Sequence, residues 1–261
     1  MTDAIALRGV GRTFPGKRPV AALDGIDLTV RAGEFVTLFG PSGSGKSTLL
    51  RIMAGLERAD AGTVEVLGGT PRQAARRKDI GWVPQNAALL PWSRVRANAG
   101  LSGLVNRRAD RAPHPQRVPQ DVDGMLAEVG LADFADARPG QLSGGMQQRA
   151  ALARVFVQGA PLLLMDEPFS ALDEITRSAV RLQLLDLWER HRKTVVFVTH
   201  SAEEAALLSD RVIVLSPRPG RIAAEIAVPI PRPRADCAAD SDAVRAVERE
   251  ITAALRAGAS G

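Results

Sequence analysis

Four short segments of the chain are almost continuously apolar, the pattern of strands buried on both faces of a parallel sheet. They are Phe35–Phe39, Leu162–Met165, Thr194–Thr199 and Val212–Leu215. Two earlier segments, Ala4–Phe14 and Ile26–Val30, also have strand patterns, the second because Ile26, Leu28 and Val30 alternate with polar residues. The sequence therefore predicts a β-rich start followed by several buried strands.

Helical patterns lie between and after these strands, at Thr48–Leu56, Val122–Val129, Met146–Gln158 and Ser241–Ala257. Strands that alternate with helices predict crossover connections and a parallel sheet. Residues 87–160 contain helical patterns but no strong strand. We therefore predict an α/β core from 1–86 and 161–220, a helical subdomain over 87–160, and a C-terminal tail over 221–261 with a short amphipathic helix capped by Ser241.

One segment of the helical region has a different composition. Asn106–Asp121 holds three prolines and four arginines in 16 residues, which predicts a solvated, mobile loop.

Composition narrows the class of protein. The chain has 261 residues, of which 45% are hydrophobic and 24% charged, values typical of a soluble globular protein with a real core. No apolar stretch approaches the roughly 18 to 20 residues that span a bilayer, and the first residues show no secretory signal. The single cysteine, Cys237, is expected to be a surface thiol in a reducing compartment. A net charge of +5 is too small to indicate nucleic-acid binding.

A glycine-rich segment follows the strand Phe35–Phe39 and opens the helix after it. Residues 40–47, GPSGSGKS, match the phosphate-binding pattern GxxxxGK[ST] in full. In such a loop the backbone N–H groups and the helix N-terminus surround an anion, the lysine reaches the β- and γ-phosphates, and the serine hydroxyl binds Mg²⁺. The residues expected to hold the nucleotide here are Gly40, Ser42, Gly43, Ser44, Gly45, Lys46, Ser47 and Thr48.

Polar residues also follow two other buried strands. Asp166 ends the run that begins at Leu162 and can hold magnesium, and Glu167 can act as general base toward the attacking water. His200 comes directly after Thr194–Thr199, at the strand end where open α/β sheets bind ligands. We expect His200 to contact the γ-phosphate.

A second glycine-containing turn opens another helix at residues 142–149, LSGGMQQR. Together with the glycine-rich loop, Asp166-Glu167 and Ser170–Asp173, it resembles the nucleotide-binding subunit of an ATP-binding-cassette transporter over about residues 4–220. The resemblance implies a P-loop NTPase core, made of a mostly parallel sheet with flanking helices and an N-terminal antiparallel β part, with an inserted α-helical subdomain. It also implies hydrolysis of ATP with Mg²⁺.

The same resemblance assigns roles to single residues. Phe14 would stack on adenine in place of the more frequent tyrosine, and Gln85 would contact the magnesium ion and the water. Ser143, Gly144 and Gly145 would bind the γ-phosphate of a nucleotide held by the opposite subunit. Asp173 would lie at the seam between subunits. The metal ligands would be Ser47, Gln85 and Asp166.

The family works as a head-to-tail dimer with two ATP molecules between the subunits, so a second copy of this chain is an expected partner. The segments 83–92, VPQNAALLPW, and 215–221, LSPRPGR, resemble importers of nitrate, alkanesulfonate, taurine and similar small solutes. Transmembrane permease subunits, and indirectly a solute-binding protein, would then be partners at the cytoplasmic face of the membrane. Leu89–Trp92 would lie near the groove for a permease helix, or would simply be core packing.

Two other functions are compatible with a phosphate-binding loop. A soluble cassette ATPase acting on nucleic acid or ribosomes usually has two cassettes in one chain or a long coiled coil. This chain has one phosphate loop, one LSGG segment and no sustained heptads, so we expect no nucleic-acid partner. A nucleotide kinase would use the loop but leave the LSGG segment without a role.

Overall fold

The computed structural model describes residues 3–234 and 241–258, and Cys237 lies outside the described residues. The strands are β1 Asp3–Phe14, β2 Val20–Arg31, β3 Phe35–Phe39, β4 Ala61–Val66, β5 Ile80–Val83, β6 Leu162–Asp166, β7 Thr194–Thr199, β8 Arg211–Leu215 and β9 Ile222–Ala227. The α-helices are α1 Lys46–Met53, α2 Pro71–Arg76, α3 Val95–Ala99, α4 Val122–Glu128, α5 Gly144–Gln158, α6 Glu174–His191, α7 Ala202–Leu208 and α8 Asp242–Gly258. The predicted mixed α/β fold class is confirmed.

The chain divides into two compact units, one formed by residues 1–73 with 192–261 and the other by 74–191. The predicted boundaries at 86/87, 160/161 and 220/221 do not coincide with these limits. The division into core, helical subdomain and tail therefore stays a prediction.

The first unit contains two β-structures. β1 lies between β2 and β4 in an antiparallel sheet, and the order β7-β3-β8-β9 forms the second. β3 is parallel to both β7 and β8, and every residue of β3 and β7 is buried, as continuous apolar runs require. Strand β2, which forms a long hairpin with β1, begins six residues before the predicted strand Ile26–Val30. The last strand, β9, was not predicted from the sequence.

The C-terminal helix α8 belongs to this unit. Its apolar residues Val244, Val247 and Ile251 are buried, and the helix packs against α7, β8 and β9. The Val244 N–H donates to the Ser241 hydroxyl at 3.4 Å, which confirms the predicted cap.

The second unit is built on the buried helix α5. β5 and β6 pair in parallel, and α5 contacts β5, α3, α4 and α6. Helix α6 has 18 residues and is absent from the elements predicted from the sequence. No helix in the described parts of the chain is long and apolar enough to cross a membrane.

The proline- and arginine-rich segment is not the freely solvated loop that its composition predicts. Asp110 accepts from Lys78 Nζ at 2.8 Å and from Arg117 Nη2 at 2.6 Å. The side chains of Lys78 and Arg117 are only 6% and 5% exposed. The Val118 N–H also donates to the Gly159 carbonyl at the end of α5. The segment is therefore anchored by one carboxylate between two buried cations.

The substitution Asp110→Asn should lower the free energy of unfolding at pH 7 by about 1–3 kcal/mol, because two buried cations lose a charged partner that is itself partly screened by solvent. Hydrogen bonds from Lys78 and then Arg117 lower the pKa of Asp110. Because the pKa of Asp110 is lower in the folded state than in the unfolded state, its charged carboxylate stabilises the fold above the unfolded-state pKa. This stabilisation is lost as the pH falls through the folded-state pKa. Urea titrations should therefore show that the difference in free energy of unfolding between wild type and Asp110→Asn becomes smaller below about pH 4.

The matched control is Asp133→Asn, which removes an exposed carboxylate of the same unit and should change stability by less than about 0.5 kcal/mol. Equal stability of Asp110→Asn and wild type at pH 7 would show that the three side chains do not anchor the segment.

Candidate functional site

The glycine-rich loop connects β3 to α1 in the first unit. Gly45 precedes α1 with φ of 89°, and no side chain caps the helix. An ordinary residue is strained at this φ, and a Cβ on Gly45 would lie 2.7 Å from the Ala22 carbonyl oxygen. The N-terminal end of α1, where N–H groups have no acceptor within the helix, therefore suits an anion.

Two side chains of the loop are buried. The Lys46 ammonium donates to the carbonyls of Gly40 at 2.8 Å and Pro41 at 2.9 Å. The Ser44 hydroxyl is buried and has no hydrogen-bond partner among the described residues. A buried hydroxyl without a partner costs free energy, and a phosphate oxygen would remove that cost. The loop therefore fits the phosphates of a nucleotide.

The turn at residues 216–221 supports the outer side of this loop. Arg218 Nε donates to the Gly43 carbonyl at 3.4 Å, and a Cβ on Gly220 would lie 2.0 Å from the Ser44 carbonyl oxygen. In a trans peptide the N–H points opposite to the carbonyl. Because the carbonyls of Gly43 and Ser44 face the turn, the N–H groups of Ser44 and Gly45 face away from it.

The 216–221 turn is also tied to β2. The Gly220 N–H donates to the Ala22 carbonyl at 2.9 Å, the Asp24 N–H donates to the Gly220 carbonyl at 3.1 Å, and Arg221 pairs with Asp24. This contact could not be predicted from the sequence, where residues 215–221 indicate only a family likeness, because its partners lie about 200 residues away.

Phe14, the expected adenine-stacking residue, ends β1 and is half-buried. The Arg12 guanidinium lies 4.7 Å from the centre of its ring, and Glu57 and Asp60 hold Arg12 in ion pairs. Arg12 therefore covers one face of the ring with a cation, a contact that was not predicted from the sequence.

His200 follows β7 and is exposed. The buried Thr199 before it donates to Glu204 at 2.5 Å and accepts from the Ser201 N–H at 3.0 Å. Ser201 in turn caps α7. The backbone on both sides of His200 is thus held by hydrogen bonds, which places the imidazole at the end of the parallel strand as expected.

In the second unit, Asp166 is the last residue of β6 and is 7% exposed. Glu167 follows with φ of 45°, a region that costs an ordinary residue of order 1–3 kcal/mol. Ser170 donates to the Glu167 carbonyl from its hydroxyl at 2.9 Å and from its N–H at 3.2 Å. Gln85 Nε2 donates to the same hydroxyl at 3.1 Å.

The LSGG segment begins α5. The Ser143 hydroxyl accepts from the Met146 N–H at 3.3 Å, and Ser143 and Gly144 are exposed. Gly145 is buried, and a Cβ there would lie 2.3 Å from Thr176 Cγ2. Gly145 is therefore required for the close packing of α5 and α6, whatever else it binds.

Asp173, expected at a subunit seam, lies at the start of α6. It accepts from the Thr176 N–H at 3.0 Å. This hydrogen bond is the main reason why the pKa of Asp173 is lowered, so the exposed carboxylate remains charged at neutral pH.

A groove of ≈ 480 Å³ in the second unit is lined by residues that include Gln85, Leu89, Gly144, Gln148 and Leu172. Gln148 is 3% exposed, and its Nε2 has no partner among the described residues. Trp92, in the adjoining loop, is 72% exposed. The alternative of ordinary core packing is therefore wrong for Trp92.

The buried Asn98 and the half-buried Arg154, neither of which was predicted from the sequence, hold the loop at residues 87–94. Asn98 accepts from the Leu90 N–H at 2.7 Å and donates to the carbonyls of Leu90, Ser93 and Arg94. Arg154 donates to the carbonyls of Ala87 and Ala88, both at 2.9 Å. These bonds satisfy the backbone of an irregular segment and present Trp92 to solvent.

Comparisons with known proteins agree with these motifs. Residues 23–170 match the family described as ABC transporter. The chain belongs to this family. It is 45% identical to an aliphatic sulfonates import ATP-binding protein of Xanthomonas axonopodis over 97% of both chains. A protein with the same description from Nocardia farcinica is 46% identical over 98% of this chain and 94% of its own.

A solved structure shows the same fold. The ATP-binding cassette MJ0796, in a dimeric post-hydrolysis state bound to ADP and phosphate, matches with a TM-score of 0.71 and 31% identity over 86% of this chain and 98% of its own. The chain is accordingly an ATPase of the ABC transporter family with the P-loop NTPase fold. The alternative of a soluble cassette ATPase acting on nucleic acid is not favoured.

The residues expected to bind the metal of this ATPase all offer oxygen donors. Ser47 supplies a hydroxyl, Asp166 a carboxylate and Gln85 an amide oxygen. Mg²⁺ prefers oxygen ligands and is usually held by one or two carboxylates together with substrate phosphates. The donor set of this chain therefore fits magnesium.

The substitution Gly220→Ala should weaken ATP binding by about tenfold or more, because overpacking typically costs 1–3 kcal/mol and the new methyl group would displace the Ser44 carbonyl. Binding of a fluorescent ATP analogue measures the effect, and circular dichroism checks the fold.

Gly103→Ala is the matched control, since a Cβ at Gly103 meets nothing within 4 Å. Wild-type affinity in a folded Gly220→Ala protein would show that the 216–221 turn does not support the phosphate loop.

Proposed function

We propose that this chain hydrolyses ATP with magnesium as one half of a head-to-tail homodimer that drives a membrane importer. The observation that carries the proposal is that one chain has two separate helix starts suited to phosphate, at Gly45–Lys46 and at Ser143–Gly144. Ser143 and Gly144 are exposed, which leaves them able to meet the nucleotide of a second copy.

The phosphate-loop residues bind the triphosphate in this proposal. Lys46 exchanges its bonds to the Gly40 and Pro41 carbonyls for phosphate oxygens, and its charge makes these bonds stronger than neutral ones. Phe14 stacks on adenine with the ring face that Arg12 leaves open. Ser47, Asp166 and Gln85 hold the magnesium ion, which would neutralise phosphate charge.

Hydrolysis needs a base for the attacking water. As water oxygen bonds to the γ-phosphorus, the bond to the oxygen bridging the β- and γ-phosphates breaks, ADP leaves, and a water proton moves to the Glu167 carboxylate. His200 contacts the γ-phosphate. Ser143, Gly144 and Gly145 of the second copy stabilise the charge that develops, and Asp173 lies at the seam.

The permease partner is inferred from the relatives and from the surface of the second unit. Two relatives are import proteins for aliphatic sulfonates, so we propose import of a sulfonate, nitrate, taurine or a similar small solute. The groove beside Trp92 would receive a cytoplasmic helix of the permease, and the buried amide of Gln148 would donate to it. The chain would then work at the cytoplasmic face of the membrane, with a solute-binding protein as an indirect partner.

The substitution Glu167→Gln tests the catalytic part of the proposal. It should leave ATP binding intact but slow turnover by about 10²–10⁴-fold, because the general base is lost. Light scattering should show a dimer with ATP and magnesium. The control Lys46→Ala should lose about 10- to 100-fold in ATP affinity, because a charged hydrogen bond contributes about 1.5–3 kcal/mol. A strict monomer of Glu167→Gln at saturating ATP would contradict the dimer.

Mixing two inactive variants shows whether each site is shared between subunits. Lys46→Ala and Ser143→Arg homodimers would each have two defective sites. A mixed dimer would have one intact site, formed by Lys46 of one chain and Ser143 of the other, so hydrolysis should reappear. No recovery in dimers shown to contain one copy of each variant would contradict a site shared between subunits.

The substitution Trp92→Asp tests the docking surface. It should keep the ATPase activity of the isolated chain within about twofold, since an exposed side chain contributes little to folding, but should reduce copurification with the coexpressed transmembrane subunits. Leu56→Asp is the matched control, because Leu56 is 66% exposed in the first unit. Equal retention of both variants would exclude Trp92 from the interface.

A further inference from the structure

The backbone of Glu167 has a conformation that its own side chain does not favour. With φ of 45°, a residue other than glycine persists only where its surroundings hold it. Glu167 also precedes Pro168, which restricts its backbone further. Ser170 holds the Glu167 carbonyl with two hydrogen bonds, because its hydroxyl and its N–H both donate to it, at 2.9 and 3.2 Å.

The Ser170 hydroxyl connects Glu167 to Gln85. A hydroxyl has one proton to donate and two lone pairs to accept with. Since the proton goes to the Glu167 carbonyl, the contact with Gln85 at 3.1 Å requires Gln85 to donate its N–H. The carboxamide of Gln85 is thereby oriented, and its oxygen is left for another partner. Hydrogen bonds in such a chain also strengthen one another.

The hydrogen-bonded connection from Gln85 through Ser170 to Glu167 has one end at the groove of the second unit. Gln85 lines that groove together with Pro168, Ala171 and Leu172, which flank Ser170 in the sequence. A group that enters the groove and draws the Gln85 amide away would break the hydrogen bond that the Ser170 hydroxyl accepts from Gln85. Because the same hydroxyl donates to the Glu167 carbonyl, loss of this bond would affect the backbone of Glu167.

We propose that Ser170 is a positioning residue, which holds Glu167 in its left-handed conformation and couples this conformation to the side chain of Gln85. The inference rests on the proposed role of Glu167 as general base. The hydrogen bonds described for the Ser170 hydroxyl join it to Glu167 and Gln85, and not to the phosphate loop. The effect of Ser170 should therefore appear in the rate of hydrolysis and not in the affinity for ATP.

The substitution Ser170→Ala should lower kcat about twofold to tenfold, the range for loss of one hydrogen bond, with KM for ATP unchanged because the phosphate loop is intact. Ser170→Thr keeps the hydroxyl and should restore kcat. Ser178→Ala removes a half-buried serine from the same unit and serves as control. A parallel fall of kcat and rise of KM, or no recovery in folded Ser170→Thr, would indicate a general structural defect and overturn the proposal.

A double-mutant cycle tests the coupling to Gln85. Gln85→Ala should cost less in kcat on the Ser170→Ala background than on wild type, because the connection is already broken. Additive losses would overturn the coupling.

The variant Glu167→Gln distinguishes a failure of the proposed general base from a failure of the positioning role of Ser170. If it keeps wild-type turnover, the proposed base is wrong and the Ser170 inference falls with it. If Glu167→Gln is inactive while Ser170→Ala keeps wild-type kcat, the proposed function stands and the positioning role of Ser170 is wrong.

Discussion

A loop that binds phosphate must turn several backbone N–H groups to one side, so that its carbonyl oxygens face the other side and need support there. In the first unit this support comes from the 216–221 turn, where Arg218 contacts the Gly43 carbonyl and Gly220 leaves room for that of Ser44. Because Gly220 also bonds to Ala22 and Asp24, the geometry of β2 and of the β8–β9 connection depends on the same requirement.

The second unit meets a different constraint, which is to hold one strained residue. Glu167 lies directly after the buried Asp166 at the end of β6, and its positive φ turns the chain sharply there. The strain of about 1–3 kcal/mol must be offset by the surroundings. Ser170, three residues later, bonds to the Glu167 carbonyl and to Gln85 and in our proposal contributes to this stabilisation, so that packing, backbone strain and the proposed chemistry meet in one short segment.

The start of α5 combines two requirements. Gly145 has no room for a side chain beside Thr176, so it is needed for the helices to pack. Ser143 and Gly144, the two residues just before it in the same motif, are exposed and are not needed for packing in this way. A motif that looks uniform in the sequence thus divides into a structural glycine and two residues left open to a partner.

Local patterns by themselves determined the elements whose burial follows a simple period. Phe35–Phe39 and Thr194–Thr199 appear as predicted, the Ser241 cap is present, and the phosphate loop lies between β3 and α1. Helix α6 was missed because its apolar residues, among them Leu184 and Trp188, are mixed with many charged ones. Only the tertiary structure decided that Asp110 pairs with Lys78, that Asn98 holds Leu90, and that Gly220 supports Ser44. These contacts join residues that are far apart in sequence or share no period, and the balance of charge and hydrogen bonding at a buried site exists only once the chain has brought its partners together.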